Sequence, residues 1–281
     1  TLYRSQLIVQ INCISMISFN QRLQNRINHI QSWLCVGIDV APERFPTSES
    51  SLDEMKDHAE KIVNATADLT VAYKPNFAFF ERWGSAGFDW LKELVKLIPD
   101  GPLLIADAKR GDIGSTAEQY VKSIFDYFGF DAVTLSPYMG SDSIQPFINN
   151  PEKGAFILTR TSNPSAKDIQ NMAIDSEPLF MKVSQWATTL NLNENVGLVV
   201  GATALDELKM IRDATPNLPF LIPGIGAQGG DLETSMKVGN QKGIGLINVS
   251  RGINFAGDLS EKSIRLAAKS YVEKMQTIME S

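Results

Sequence analysis

Four charged residues fall within six positions: Asp107, Lys109, Arg110 and Asp112. They follow directly on the short apolar run Leu103, Leu104, Ile105 and Ala106, which Pro102 opens. Such a run reads as a strand buried on both faces. Side chains alternate along a strand, so Leu103, Ile105, Asp107 and Lys109 share one face, with the two charges together at its carboxyl end. Charges held there are costly unless they pair, so an acid, a base and a second acid mark a candidate site. Flanking carboxylates favour the ammonium form of a lysine, which weakens it as a nucleophile. Proton donation by Lys109 is therefore preferred over the rival Schiff-base chemistry of strand-end lysines in barrel aldolases.

A second lysine, Lys74, ends the run Val71 to Asn76, VAYKPN. A lone lysine usually snorkels to solvent. At one mouth, however, Lys74, Asp107, Lys109 and Asp112 form an alternating row of cations and anions that satisfies itself without a metal. Two glycine-bearing turns lie near the end of the chain, Pro223 to Gly230 and Asn248 to Ile253. Backbone N–H groups of such turns hold phosphate, with Arg251 as a bidentate charge and Gln228 as a neutral donor. Either turn alone serves equally to reverse the chain. Ser162, in the polar stretch Leu158 to Pro164, lies where a loop could fold over a ligand, or where it makes only a local hydroxyl turn. Asp39, at the end of the run Leu34 to Asp39, is an N-cap or an acceptor for a sugar hydroxyl. The aromatic cluster Phe77, Phe79, Phe80 and Trp83 reads as packing or interface rather than as a platform for bases.

These residues need elements to carry them. Periodicity predicts an amphipathic helix over Phe19 to Trp33, then strand and helix in alternation. Strands are expected at Leu34–Asp39, Val71–Asn76, Leu103–Ala106, Ala132–Ser136, Gly154–Arg160, Val196–Val200, Phe220–Ile225 and Gly245–Ser250. Helices are expected over Ser51–Leu69, Phe88–Ile98, Ser115–Phe128, near Ser143–Ile148, and over Pro178–Leu190, Ala204–Ala214, Leu232–Val238 and Ser260–Ile278. Ser51 and Glu54 form a capping-box pattern. Eight strand–helix units without a long Gly- or Ser-rich linker predict an α/β fold, a (β/α)8 TIM barrel with a leading N-terminal helix. A doubly wound open sheet would carry a Gly-x-Gly-x-x-Gly turn after the first strand, and Gly37 to Pro42 lacks it. In barrels the chemistry sits at the C-terminal ends of the strands, where this chain repeatedly turns from apolar residues to Asp, Lys, Ser, Arg or Gly.

Composition removes other readings. A net charge of −6 with no long basic block argues against nucleic-acid binding and leaves a small phosphorylated ligand open. Two cysteines, Cys13 and Cys35, supply neither a disulfide framework nor a metal cluster and fit a reducing cytoplasm. Two histidines, His29 and His58, make His-based metal sites and Ser-His-Asp catalysis poor bets. The apolar patch Leu7 to Ile11 is too short to cross a membrane and lacks the features of a signal peptide. Residues 1–15 are expected to be an extension outside the fold, with Met16 a possible natural start and 16–281 a single domain.

Taken together, Asp107-Ala108-Lys109-Arg110-Gly111-Asp112-Ile113-Gly114-Ser115-Thr116, Ala72-Tyr73-Lys74-Pro75-Asn76 and the two turns resemble the orotidine 5′-monophosphate decarboxylase family, in its longer, mainly bacterial form. The resemblance runs from about Phe19 to the C-terminus. It implies decarboxylation of orotidine 5′-monophosphate to UMP and CO2, the last step of de novo pyrimidine nucleotide synthesis, with no cofactor and no metal. It also implies a tetrad of Lys74, Asp107, Lys109 and Asp112 in a homodimer, with Asp112 and Thr116 coming from the partner subunit. Asp39 would hold a ribose hydroxyl, Ser162 the pyrimidine, and Gln228 and Arg251 the phosphate. Two rivals remain. One is a magnesium-dependent sugar-phosphate decarboxylase or aldolase on the same barrel, disfavoured by Lys74 at the place where a keto-gulonate-phosphate decarboxylase has a metal-binding acid. The other is a non-catalytic nucleotide-binding regulator, whose mark would be a broken tetrad.

Overall fold

In the computed structural model, which describes residues 17–46, 50–226 and 229–281, eight strands close into a parallel barrel. The barrel strands in chain order are β1 (Leu34–Ile38), β2 (Ala72–Pro75), β3 (Leu103–Arg110), β4 (Ala132–Leu135), β5 (Gly154–Arg160), β8 (Val196–Val200), β9 (Phe220–Pro223) and β10 (Gly245–Val249). Pairing of β1 with both β2 and β10 closes the ring. The two remaining strands, β6 (Ala173–Ile174) and β7 (Glu177–Pro178), form a small antiparallel hairpin between β5 and β8. This is the predicted TIM barrel.

Alternation along the strands sorts the apolar side chains into two layers. Cys35, Ala72, Leu103, Ile105, Ala132, Phe156, Val199, Leu221 and Leu246 fill the barrel interior. Their strand neighbours, such as Val36, Tyr73, Leu104, Ala106 and Val133, form the larger layer with the surrounding helices. Helix α1 (Phe19–Ile30) buries Phe19, Leu23 and Ile27 against the interior cluster, so the leading helix plugs one end of the barrel. A Cβ at Gly154 would run into the Phe19 ring, so glycine there lets the plug seat. The helix stops at Ile30, where Gln31 turns left-handed, and not at Trp33, because Leu34 begins the first strand.

Helix α2 (Leu52–Thr66) starts in the expected capping box, with Ser51 Oγ accepting from the Glu54 amide and Glu54 accepting from the Ser51 amide. A short helix, α3 (Phe77–Glu81), precedes α4 (Gly84–Leu97) and was not expected. It uses the aromatic cluster for packing: Phe77 meets Phe128 edge-on and Phe80 lies 4.3 Å from Trp90. The expected single helix Ser115–Phe128 is α5 (Gly114–Val121) followed by a π-helical turn over Lys122–Tyr127. Further along come α6 (Gln145–Ile148), α7 (Leu179–Leu190), α8 (Leu205–Ala214), α9 (Leu232–Asn240), α10 (Arg251–Asn254) and α11 (Glu261–Glu280).

One buried cation ties the second half of the barrel together. Arg212 of α8 is fully buried, and its guanidinium donates to the carbonyls of Thr215, Pro216, Leu218, Gly239 and Ile244. It also lies 3.5 Å over the Phe220 ring. Burial without a carboxylate pulls its pKa down to about 10, and the carbonyl dipoles take the place of a counter-ion. The expected extension over residues 1–15 lies outside the described residues, as does Cys13. Among the described residues, no helix is long and apolar enough to cross a membrane.

Candidate active site

Strand ends at one rim bring the predicted charges together. Lys74, at the end of β2, is buried, and its Nζ donates to Asp107 Oδ2 at 2.6 Å. Lys109 Nζ donates to the other oxygen, Oδ1, also at 2.6 Å. The two ammonium groups differ in access: the side chain of Lys74 is 6% exposed and that of Lys109 is 51% exposed. Burial alone would favour neutral Lys74, but the carboxylates of Asp107 and Asp39 overrule it and hold the ammonium form above its ordinary range. Burial likewise opposes the charge on Asp107, and the two lysines overrule it, holding the carboxylate well below its usual range. The result is one fixed carboxylate between a locked cation and a reachable one.

The path of β3 at this point departs from plain alternation. Ala106 pairs with Val133 and Arg110 with Leu135, and the register shifts between them. Lys109 takes φ 47°, a left-handed conformation unusual for a residue with a side chain. Thr134 stands opposite the bulge, and its hydroxyl accepts from the Lys109 amide at 3.0 Å and donates to Asp107 Oδ1 at 3.1 Å. Sequence reading gave Thr134 no role. Its one signal was a hydroxyl at the next-to-last position of an otherwise apolar strand, AVTL.

Two adjoining cavities meet at Lys74, Asp107 and Pro223. The first, of about 170 Å3, is lined by Asp39, Asn76, Gly224, Ile225, Asn248, Ser250 and Arg251 besides the shared residues. The second, of about 290 Å3, adds Lys109, Thr134, Leu158, Thr161, Ser162, Asn163, Val199 and Leu221. Arg251 therefore lines one cavity and Ser162 the other, with Lys74, Asp107 and Pro223 shared between them. Asp39 caps no helix, since the next short helical turn is preceded by Ala41. Its Oδ1 is buried at the cavity without a protein hydrogen-bond partner, as an acceptor kept for a ligand hydroxyl would be. Three of the turn glycines, Gly224, Gly226 and Gly229, have positive φ, so the first turn requires them. The second turn opens α10 at Arg251.

Ser162 reaches the mouth because residue 201 is glycine, where a Cβ would lie 2.8 Å from the Ser162 backbone. Its loop is clamped by Gln170, whose side chain both accepts from the Thr161 amide and donates to the Thr161 hydroxyl. Asp112 and Thr116 are not brought into this row. Asp112 Oδ1 accepts from the Ile113 amide and Thr116 is exposed on the first turn of α5; neither lines the two cavities. Gln228 lies outside the described residues. Among the described residues, no group of three or more His, Cys, Asp or Glu side chains is placed to hold a metal ion.

A TIM barrel with a Lys–Asp–Lys row at its rim, flanked by an arginine-bearing glycine turn and a hydroxyl-bearing loop, defines the class: an enzyme built for a small phosphorylated substrate. Residues 32–265 match the family model described as orotidine 5′-phosphate decarboxylase / HUMPS, and the chain belongs to that family. Similar proteins include the orotidine 5′-phosphate decarboxylase of Herpetosiphon aurantiacus, 42% identical over 268 residues that cover 92% of this chain and 98% of that one. Among solved structures, Leishmania donovani OMP decarboxylase superposes with a TM-score of 0.84 at 37% identity, covering 94% of this chain and 99% of that one. Leishmania donovani UMP synthase superposes with a TM-score of 0.85 at 40% identity, covering 93% of this chain and 56% of that one.

Proposed function

We propose that this chain decarboxylates orotidine 5′-monophosphate to UMP and CO2, the last step of de novo pyrimidine nucleotide synthesis. The observation that carries the reading is Asp107 held between Lys74 and Lys109 at 2.6 Å contacts, where the two cavities meet. Arg251 and the glycine turns take the phosphate, Asp39 a ribose hydroxyl and Ser162 the pyrimidine. The substrate carboxylate then lies against Asp107. The bond from C6 to the carboxylate breaks, the electron pair stays on C6, and the Lys109 ammonium supplies the proton that replaces CO2. No cofactor is needed.

Repulsion between two carboxylates about 4 Å apart is worth roughly 4 kcal/mol at an effective dielectric near 20, about three powers of ten in rate. That is too little alone. Attraction between Lys109 and the developing carbanion adds to it, and remote binding of the phosphate holds the ring in place. Lys74 places a positive charge where a magnesium-dependent sugar-phosphate relative needs an acid, which favours the metal-free reaction.

In the same reading the enzyme is a cytoplasmic homodimer, and Asp112 and Thr116 of each subunit complete the other subunit's mouth. Their position outside their own chain's cavities supports this. The test mixes two inactive variants, Lys109→Ala and Asp112→Ala, and follows orotidine monophosphate turnover. A mixed dimer has one site with both residues and one with neither. With random exchange about half the dimers are mixed, so activity should recover to roughly a quarter of wild type. No recovery after verified subunit exchange would return Asp112 to its own chain and overturn the shared site.

A further inference from the structure

From the bulge in β3 we infer that Thr134 is the positioning residue of this site, its hydroxyl fixing the Lys109 backbone and the Asp107 carboxylate relative to each other. The inference rests on the decarboxylase reading for its activity test. Its geometry does not. Between the pairs Ala106–Val133 and Arg110–Leu135, β3 spends Asp107, Ala108 and Lys109 while β4 spends Thr134 alone. Extra residues on one strand lose their ladder partners and must find others.

The Lys109 amide finds the Thr134 hydroxyl in place of a strand carbonyl. That same hydroxyl donates a hydrogen bond to Asp107 Oδ1, the oxygen that also accepts from Lys109 Nζ. A three-membered loop results, from the Lys109 backbone through Thr134 and Asp107 to the Lys109 ammonium. It matters because Lys109 has two reasons to wander. Its side chain is half exposed, and its φ of 47° is a conformation that costs an ordinary residue about 1–2 kcal/mol. Relaxation of that φ would swing the ammonium away from Asp107 and the C6 position. A fully buried threonine on a central strand is rigid at χ1, so it holds both partners without adjusting to them.

Thr134 also lines the second cavity, but among the described residues its hydroxyl makes these two hydrogen bonds, and an isosteric change isolates them while keeping the cavity wall. Thr134→Val keeps the shape and the β-branch and removes both hydrogen bonds. Turnover should fall about 10- to 100-fold, the worth of a hydrogen bond to a charged group. KM and the affinity for UMP should move less than about threefold, because Arg251, Asp39 and Ser162 are untouched. Thr134→Ser restores the hydroxyl and should recover most of the lost turnover. Amide hydrogen exchange gives a readout independent of any substrate: the Lys109 amide should exchange faster in Thr134→Val than in wild type or Thr134→Ser, while amides elsewhere in β4 and β5 keep their rates. If wild type fails to decarboxylate orotidine monophosphate, the functional reading falls, and the exchange result still judges the positioning role. Wild-type turnover in Thr134→Val, a serine variant no better than valine, or an unchanged Lys109 exchange rate would overturn it.

Discussion

Lys74 and Lys109 touch the same carboxylate at the same distance, yet substitution of each by alanine should have opposite signatures. Lys74 is buried, so its loss leaves Asp107 as a buried charge that keeps one half-exposed partner. Breaking a buried pair from one side costs about 3–5 kcal/mol. For a protein of this size each kcal/mol lowers Tm by roughly 2–4 °C, so Lys74→Ala should melt about 6–20 °C lower. Lys109 is half exposed, and an exposed pair is worth about 0–1 kcal/mol. Its loss should lower Tm by no more than about 4 °C, while Asp107 remains neutralised by Lys74. Turnover should behave in the other sense: Lys109→Ala should be inactive although folded, because the proton donor is gone. Differential scanning calorimetry beside an orotidine monophosphate assay reads both quantities on one preparation. Near-normal turnover in Lys109→Ala, or equal thermal losses in the two variants, would refute the division into a locked and a working lysine.

Removing the guanidinium in Arg251→Ala should raise KM, and should also lower kcat if phosphate binding drives closure over the ring, measured by steady-state kinetics; unchanged kinetics would remove Arg251 from the phosphate site. Arg212→Met removes the side-chain donor from five carbonyls, of which those of Thr215 and Ile244 keep a backbone N–H, and should cost about 3 kcal/mol, seen as a lower urea midpoint, without changing KM. Stability should also depend on pH at both extremes. Asp107 has a lowered folded pKa, so its contribution is present above the ordinary carboxylate range and is lost as pH falls through the folded value. Lys74 has a raised one, so its contribution is complete below the ordinary lysine range and fades as pH rises toward the folded value. Lys74→Met should flatten both limbs in denaturant titrations across pH. Burial pushes the Cys35 thiol up to about 12, so the folded protein should leave Cys35 unalkylated at pH 8 when its peptide is mapped by mass spectrometry.

The sequence showed the barrel because each buried strand is a short apolar run that breaks into polar residues at its carboxyl end, and because helical periodicity lies between the runs, opened at α2 by a capping box. It showed the Lys–Asp row because Asp107 and Lys109 are two apart, which alternation reads as one face, although in the folded chain Lys109 meets Asp107 from a bulge. What it hid depends on two strands at once. The bulge at Lys109 is a mismatch of register between β3 and β4, and neither strand's own residues announce it. Thr134 acquires its role only because of that mismatch. Helix α3 was hidden by its aromatic residues, which are weak helix formers held there by packing on Phe128, Phe130 and Trp90. Arg212 lies in the last turn of α8, and only the folded chain shows the carbonyls converging on it.

Incubating the purified protein with orotidine 5′-monophosphate, with and without EDTA, tests the central claim most directly. Loss of substrate absorbance with formation of one UMP per substrate, at the same rate in both arms, is the predicted result. No UMP in either arm, or turnover that the chelator abolishes and magnesium restores, would contradict it.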